Sequence, residues 1–233
     1  MKIQNSVALV TGANRGLGLA FTRALLAGGA RKVYAAARDA NAITLPGVQP
    51  IQLDVTRAED VAAAARALGD VDVLINNAGI SRDSRLFADD TVAALRAELE
   101  TNLIAPLTLI RAFAPVLARN GGGAVVNVLS VLSWVTMPQL ATYSVTKSAA
   151  WSLTNGIRNE LRVQHTQVLG VHVGYIDTDL VRDVTAPKNA PDDVARRVLA
   201  ALEAGDDEVL VDELSRNVRN GLAAERGVYL GQR

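Results

Sequence analysis

The sequence contains no cysteine and only 2 histidines, His165 and His172. Without cysteine the chain can form neither a disulfide framework nor a thiolate-bound metal site. Two isolated histidines are also too few for a typical zinc site. We therefore predict a protein that has no disulfide and binds no metal ion.

An excess of charge of one sign is absent as well, because 24 Lys and Arg residues balance 24 Asp and Glu residues. No global field then favours nucleic acid or an anionic membrane surface, and any anion site must be local. No stretch approaches the roughly 20 apolar residues of a membrane span, and the apolar start of the chain is too short for a signal sequence. We expect a cytoplasmic protein with neither nucleic acid nor membrane as a partner.

Hydrophobic residues make up 49% of the chain and charged residues 21%, so a sizeable core can be buried. The 233 residues exceed the common domain size. Doubly wound α/β folds often hold such a length as one unit, and we predict a single domain over residues 1–233.

Short β-branched or apolar runs alternate with longer stretches rich in alanine and leucine. This alternation is typical of βαβ units around a parallel sheet. We predict an α/β fold of the doubly wound, Rossmann type, with a mostly parallel seven-stranded sheet and helices on both faces. The predicted strands cover residues 7–10, 32–36, 49–53, 71–76, 124–129, 167–173 and 208–211. The predicted helices cover residues 15–27, 58–68, 91–119, 140–164, 192–204 and 213–225.

A glycine-rich loop, TGANRGLG at 11–18, follows the first predicted strand and opens a helix. Gly12 permits a tight turn, Gly16 lets the main chain approach a pyrophosphate, and Gly18 lets the helix pack on the strand. The helix N-terminus would add free N–H groups and a positive dipole end. Because the glycine spacing differs from the common dinucleotide fingerprint, the loop taken alone also fits an ordinary turn.

The end of the second strand bears on which dinucleotide would bind. Such folds present the residue that reads the ribose about 20 residues past the loop, where Ala37, Arg38 and Asp39 stand here. A neutral Ala37 followed by the guanidinium of Arg38 favours a 2′-phosphate, and Arg15 could approach the same phosphate. We predict NADP(H). Two solvated surface arginines are the alternative, and Asp39 could pair with Arg38.

Tyr143 and Lys147 are four residues apart in a predicted helix, so both side chains point from one face. A phenol is a poor acid or base near neutrality, but a nearby ammonium favours its phenolate. Ser130, at the carboxyl end of the fifth strand, could donate to the same carbonyl oxygen. Taken singly, the Tyr and Lys spacing also fits an ordinary helix face.

Jointly, the motifs resemble the short, single-domain branch of the short-chain dehydrogenase/reductase family, from the first strand to the last helix. The matching segments are TGANRGLG at 11–18, LDVT at 53–56, NNAG at 76–79, Asn102, Ser130 and YSVTK at 143–147. The resemblance implies an NADP(H)-dependent oxidoreductase that moves a hydride between the nicotinamide and a ketone, aldehyde or secondary alcohol. It also implies a homo-oligomer, dimer or tetramer, in which helices 91–119 and 140–164 pair across subunits.

The resemblance assigns roles to single residues. Asn102, Ser130, Tyr143 and Lys147 would be the catalytic set, with Asn102 anchoring a water that connects Lys147 to solvent. Without the family pattern, Asn102 could satisfy local backbone and Asp54 could cap a turn. The implied cofactor-binding residues are Gly12, Asn14, Arg15, Gly16, Leu17, Gly18, Arg38, Asp54, Val55, Asn76, Ala78, Gly79, Tyr143, Lys147, Gly174, Ile176 and Thr178.

After the sixth strand, Val173 replaces the proline usual in the family, while Gly174 and Thr178 remain for contact with the cofactor. His172, just before, is expected to be a packing residue at the strand end. Only a short segment separates Thr178 from Pro191, which predicts an open substrate site.

The loop that follows Ser130 is predicted to wall the substrate pocket and to give it an apolar face with an aromatic edge. Its residues are Ser133, Trp134, Val135 and Met137. Core packing or a subunit contact accounts equally well for Trp134. Three other classes remain as rivals: a nucleotide-sensing binding protein, an epimerase or dehydratase of the same family, and a methyltransferase. The intact serine, tyrosine and lysine argue against the binding protein. The chain is too short for the larger substrate domain that the epimerase or dehydratase usually needs, and a methyltransferase has no use for the Tyr–Lys pair.

Overall fold

The computed structural model describes residues 1–231, and seven parallel strands in them form one sheet. The strands are β1 (Val7–Thr11), β2 (Lys32–Ala37), β3 (Gln49–Gln52), β4 (Val73–Asn76), β5 (Ala124–Val128), β6 (Gln167–His172) and β7 (Glu208–Leu210). Their order across the sheet is β3-β2-β1-β4-β5-β6-β7. The chain reverses its direction of growth between β1 and β4, and ligands of such folds bind at this switch point. The predicted Rossmann-type fold is confirmed.

Seven α-helices within residues 1–231 cover the two faces of this sheet. They are α1 (Gly16–Ala27), α2 (Ala58–Ala67), α3 (Thr91–Leu99), α4 (Ala105–Arg119), α5 (Ala141–Leu161), α6 (Pro191–Ala204) and α7 (Glu213–Gly221). Helices α1 and α6 pack together against one face, and α2, α4 and α5 pack against the other.

The side chains of β1 show how the sheet divides the core in two. Ala8 and Val10 point into the cluster with α1 and α6, whereas Val7 and Leu9 point into the cluster with α2, α4 and α5. All four are fully buried, because a parallel strand covered on both faces can be apolar at every position. Burial on both faces holds the strands in place, and the candidate site residues follow their carboxyl ends.

The predicted helix over residues 91–119 is interrupted. A π-helical turn, Glu100–Ile104, separates α3 from α4 and contains the buried Asn102. Such turns are frequent at functional sites, because the extra residue redirects a side chain. The last helix is also shorter than predicted, since α7 ends at Gly221 and not at residue 225.

Within the described residues, one continuous helical stretch, Thr91–Arg119, is long and apolar enough to cross a membrane by length and composition alone. This differs from the expectation that no stretch approaches a span. The same stretch buries Leu109 and Phe113 in the core and contributes Asn102 to the site edge. Packing against the sheet therefore explains why one side of this helical stretch is apolar.

Candidate active site

The glycine-rich loop forms a cradle between β1 and α1. Gly12 and Gly16 have φ angles of +64° and +54°, which a side chain would strain. Helix α1 begins at Gly16, and no side chain caps its N-terminus. Because the first N–H groups of a helix have no partner within the helix, this end can receive the phosphates of a dinucleotide.

Gly18 is where helix and strand meet. A Cβ atom placed on Gly18 would lie 2.1 Å from the carbonyl oxygen of Gly12 and 2.7 Å from Asn77 Nδ2. On the other side of the loop, a Cβ on Gly16 would lie 3.1 Å from Thr178 Cγ2. The residues predicted at 12, 16, 18 and 178 therefore lie together, and the space between them is too small for side chains.

The NNAG segment is tied to the first strand by the hydroxyl of Thr11. Thr11 Oγ1 accepts hydrogen bonds from the N–H groups of Asn77 (3.0 Å) and Ala78 (3.1 Å) and donates to the Ile75 carbonyl oxygen (3.2 Å). Asn77 Nδ2 donates to the Thr11 carbonyl oxygen at 2.9 Å. These bonds hold the predicted cofactor residues Ala78 and Gly79 beside the glycine loop.

Asn76 points into the protein. Its Nδ2 donates to Asn127 Oδ1 at 2.8 Å, and Asn127 Nδ2 donates to Thr154 Oγ1 at 3.0 Å. Asn76 Oδ1 is buried and has no hydrogen-bond partner among the described residues. It borders a small cavity that Asn102 and Lys147 also line. The structure thus brings these three predicted site residues to one small cavity.

Asn102 clamps the segment that follows NNAG. Its Oδ1 accepts from the Ile80 N–H at 2.9 Å, and its Nδ2 donates to the Ile80 carbonyl oxygen at 2.9 Å and to Thr146 Oγ1 at 3.1 Å. The side chain of Asn102 therefore satisfies the backbone of Ile80, as the alternative to a catalytic role predicts. The contact to Thr146, next to Lys147, also links the π-helical turn to α5.

Tyr143 and Lys147 share one face of the first turns of α5, as predicted. Lys147 Nζ lies 5.5 Å from the centroid of the Tyr143 ring and donates to the Val128 carbonyl oxygen at 2.8 Å. That carbonyl ends β5, two residues before Ser130. One main-chain contact therefore holds the ammonium at the end of the strand that leads to Ser130, beside the ring of Tyr143.

Burial shifts the pKa values of this pair in opposite directions. Removal from water lowers the pKa of Lys147 to about 8, because the charged ammonium loses solvation. Burial first and the negative charge of Glu98 second raise the pKa of Tyr143 well above its ordinary value. The ammonium of Lys147 alone was expected to lower the pKa of Tyr143, so the shift in the free protein is in the opposite direction. The phenol therefore carries its proton.

Ser130 leads into a short 3-10 turn, Val131–Ser133. Its Oγ accepts from the Leu132 N–H at 3.1 Å. Trp134, predicted to wall the pocket, is only 7% exposed and stacks on His172 in the core. Core packing is thus the account that holds for Trp134, and Ser133 is buried too. Of the predicted wall, Val135 and Met137 are the residues with exposed surface.

The segment after β6 approaches the cradle from the other side. The Gly174 N–H donates to Asp212 Oδ2 at 2.7 Å, so this amide is already occupied. Ile176 forms a parallel bridge with Asn189, which closes the short segment between them. Within it, Leu180 is 54% exposed. The segment is ordered by its own backbone pairing and leaves its apolar side chain outside.

The two arginines predicted to read a 2′-phosphate differ in their surroundings. Arg38 is exposed at the end of β2 and forms no ion pair within residues 1–231, while Asp39 accepts from the Asn41 N–H at 2.9 Å. Arg15 is paired with Asp179 at 2.8 Å across the mouth of the cradle. The guanidinium of Arg38 is therefore available to bind a phosphate, and Asp39 does not pair with it.

Asp54 caps a turn, as the alternative proposed. Its Oδ1 accepts from the Thr56 hydroxyl (2.7 Å) and N–H (3.0 Å), and these bonds lower the pKa of the Asp54 carboxyl. The neighbouring Val55 lines a narrow cleft with Thr11 and Ala78. Val55 therefore lies beside the carboxyl end of β1 and the segment that follows β4.

Comparison with known proteins gives a consistent result. A family model described as short chain dehydrogenase matches residues 6–189. A solved structure of a short chain dehydrogenase from Burkholderia cenocepacia J2315, in complex with NADP, is 44% identical with a TM-score of 0.93, over 97% of this chain and 96% of that one.

Curated relatives agree at lower identity. The carbonyl reductase (NADPH) 2 of Sus scrofa is 33% identical over 184 residues, which cover 77% of this chain and 75% of the relative. The dehydrogenase/reductase SDR family member 7B of Bos taurus is 30% identical over 246 residues, 91% of this chain and 75% of the relative.

A parallel doubly wound sheet with a glycine cradle and a Tyr–Lys pair beside it defines a nicotinamide-dependent oxidoreductase. This chain belongs to the short-chain dehydrogenase family. The predicted family and the predicted nicotinamide cofactor are confirmed.

Proposed function

We propose that the protein is an NADP(H)-dependent carbonyl reductase, which reduces a ketone or aldehyde and, in reverse, oxidises a secondary alcohol. The observation that carries this proposal is the position of Lys147, hydrogen-bonded to the end of β5 and 5.5 Å from the ring of Tyr143. The similarity to carbonyl reductase (NADPH) 2 supports the reaction class.

Consumption of NADPH, followed by its absorbance with a panel of ketones and aldehydes, tests the proposal. We expect turnover of at least one apolar ketone. Tight NADPH binding without turnover of any carbonyl compound, and without NADP⁺ reduction by secondary alcohols, would favour a nucleotide-sensing binding protein instead.

The residues present fit a nicotinamide dinucleotide. The uncapped start of α1 and the strained glycines give the pyrophosphate a cradle that side chains would fill. Arg38, without an ion-pair partner in the described chain, would hold a 2′-phosphate, and Lys147 would hold the nicotinamide ribose. When bound, the nicotinamide supplies or accepts the hydride.

The chain's own residues handle the substrate oxygen. Negative charge grows on that oxygen as the carbonyl carbon is reduced, so donors placed there stabilise the transition state more than the ground state. Tyr143, kept protonated by burial, transfers its proton to the oxygen. The Ser130 hydroxyl donates to the same oxygen and orients it, and the Lys147 ammonium stabilises the phenolate that remains.

The substrate side of the site is apolar and open. Met137 is 36% exposed, and its sulfur accepts a hydrogen bond from the Tyr175 hydroxyl at 3.5 Å. No charged residue occurs between Val131 and Met137 to recognise a carboxylate or phosphate. We therefore favour uncharged ketones and secondary alcohols as substrates.

Gly18→Ala is expected to weaken NADPH binding on the order of 10-fold or more, since small displacements at a binding loop are costly. The new Cβ would lie 2.1 Å from the Gly12 carbonyl oxygen, and the phosphate cradle must shift to relieve the contact. Fluorescence titration with NADPH measures the change. Gly156→Ala is the control, because a Cβ there meets nothing within 4 Å. Equal affinities for Gly18→Ala and the native protein would contradict the cradle.

Arg38→Asp is expected to erase or invert a preference for NADPH over NADH. A charged hydrogen bond contributes about 1.5–3 kcal/mol before discount for exposure, which corresponds to a roughly 10-fold or larger change in relative affinity. Titration of both dinucleotides into each protein measures the ratio. Arg23→Asp, on the exposed side of α1, should leave the ratio unchanged. A native protein that binds NADH as tightly as NADPH would remove the claim.

We also propose a homo-oligomer. Apolar side chains stand exposed on the two helical regions predicted to pair, with Val92 at 62%, Ile104 at 42% and Val145 at 40%. Sedimentation at micromolar concentration should give at least twice the 24.6 kDa of one chain. Val145→Arg should shift the distribution towards monomer, whereas Val228→Arg, at a 40% exposed position outside both helical regions, should not. A native species of 24.6 kDa alone would end this proposal.

A further inference from the structure

A buried histidine lies directly behind Ser130. His172, the last residue of β6, has no exposed surface, and its ring stacks on Trp134 with centroids 3.8 Å apart and an interplanar angle of 15°. Trp151 meets Trp134 edge-on at 6.1 Å. A packing role for His172 is therefore correct, but the ring's two nitrogens are not in apolar surroundings.

His172 Nδ1 lies 3.2 Å from the carbonyl oxygen of Ser130. A carbonyl oxygen only accepts hydrogen bonds, so the ring must carry a proton on Nδ1 and donate it. His172 Nε2 faces Glu208 Oε1 at 3.4 Å, and that same oxygen accepts from Trp151 Nε1 at 3.0 Å. The ring is thus held between an acceptor at Ser130 and a carboxylate on β7.

The surroundings of the ring keep the carboxylate ionised. Proximity of the His172 ring first and the hydrogen bond from Trp151 after it lower the pKa of Glu208 to about 2, while His172 Nε2 itself has no hydrogen-bond partner among the described residues. The remaining charged group near this cluster is Arg219 on α7, whose guanidinium lies 5.8 Å from the Trp134 ring and also favours the ionised Glu208. The orientation of the His172 ring is therefore fixed from three elements, β7, α5 and the turn that carries Trp134.

The carbonyl oxygen of Ser130 also accepts from the Ser133 N–H at 3.0 Å, so His172 is a second donor to it, and the N–H groups on either side of Ser130 donate to the carbonyl oxygens of Val171 and Val173. The Ser130 N–H donates to Ser133 Oγ at 3.4 Å, a long hydrogen bond, and the φ and ψ of Ser130, −160° and 161°, are fully extended. The same carbonyl opens the Val131–Ser133 turn, and the Leu132 N–H of that turn donates to Ser130 Oγ at 3.1 Å, which sets the direction of the hydroxyl. A donor that fixes the carbonyl therefore helps to fix the turn on which the position of the hydroxyl depends.

We propose that His172 is a positioning residue for the catalytic serine: its Nδ1–H holds the Ser130 carbonyl, with Trp134 and Glu208 fixing the ring, and thereby aims the Ser130 hydroxyl at the substrate oxygen. This inference rests on the proposed function, in which Ser130 donates to that oxygen. The competing account is that His172 only fills space at the end of β6.

Two substitutions separate the accounts. His172→Asn retains an amide N–H donor at the place of Nδ1, whereas His172→Leu retains apolar bulk without a donor. We expect kcat of His172→Leu to fall on the order of 10-fold, a part of the 10²–10³-fold lost when a transition-state donor is removed outright. His172→Asn should recover most of that loss, and KM for NADPH should stay within about twofold in both, because the cradle is untouched.

A double-mutant cycle with Ser130→Ala tests whether His172 acts through the serine. We expect His172→Leu to cause no further loss of kcat in the Ser130→Ala protein. Leu117→Ala, a buried change near the other end of β5, is the control for lost packing and should leave kcat unchanged. Full addition of the two losses, or equal losses for His172→Leu and His172→Asn, would overturn the proposal.

A measurement on the native protein covers the case in which His172→Leu does not fold. ¹⁵N NMR of the histidine rings should show a protonated, slowly exchanging Nδ1 for His172, and its absence would also overturn the proposal. If the native protein reduced no carbonyl compound, the proposed function would fail and this role with it. Native turnover with an unprotonated Nδ1, or with a fully active His172→Leu, would instead refute the role of His172 alone.

Discussion

Tyr143→Phe is expected to bind NADPH like the native protein and to lose on the order of 10²–10⁴-fold in kcat, the usual contribution of general acid catalysis. The substitution removes the phenolic hydroxyl and leaves the ring that Lys147 approaches at 5.5 Å. Without that proton, the negative charge developing on the substrate oxygen keeps only the Ser130 hydroxyl as a donor. The rate falls because the transition state loses more than the ground state does.

Steady-state kinetics with a ketone that the native protein reduces measure the loss, and fluorescence titration measures the affinity for NADPH. Tyr34→Phe is the matched control, because that phenol binds Lys32 and Asp70 at the other end of the sheet from the site. Near-native turnover by Tyr143→Phe would show that another acid serves the reaction, whatever the fold and cofactor.

Lys147→Met is expected to abolish most turnover and weaken cofactor binding while making the fold more stable. Burial lowers the pKa of Lys147 to about 8 from 10.5, and each pKa unit corresponds to about 1.4 kcal/mol. The charged side chain therefore costs about 3 kcal/mol at neutral pH, offset in part by its bond to Val128. We expect the free energy of unfolding to rise by about 1–2 kcal/mol at pH 7.

The pH dependence gives this prediction its sign. Between pH 8 and 10.5 the unfolded chain binds the Lys147 proton while the folded chain has released it. The native protein therefore gains stability relative to Lys147→Met as the pH rises through this window, and the difference between them closes. Urea denaturation at several pH values measures it, with Lys2→Met, at an exposed lysine, as control. A Lys147→Met protein that is less stable at every pH would contradict the prediction.

The alternation of short apolar runs with alanine-rich stretches was enough to predict all seven strands. The central strand β1 is buried at every position and reads as an apolar run, whereas the edge strand β3, Gln49–Gln52, is largely exposed and was predicted from the alternation alone. The interruption at Glu100–Ile104 could not be predicted. Nothing in the composition marks the π-helical turn, and the hydrogen bond from Asn102 within it goes to Thr146, 44 positions later in the chain.

In the site, motif residues could be located because their spacing follows the strand ends. What the sequence could not reveal is which polar atoms meet across the sheet. Thr11 and Asn77 lie 66 positions apart and form the brace of the cradle. Trp134 lies four positions after Ser130, which suggests a pocket wall, yet its partner is a histidine 38 positions later in the chain.

The anchoring of Lys147 to the carbonyl oxygen of Val128 has a consequence for mutational tolerance. Every amino acid at position 128 offers the same carbonyl, so no side-chain replacement there removes the acceptor. Random mutagenesis that scores turnover should consequently find position 128 permissive for apolar residues that suit a strand, while position 147 accepts almost nothing. The position of the ammonium depends on the backbone at Val128 and not on its side chain, so substitutions there retain the contact.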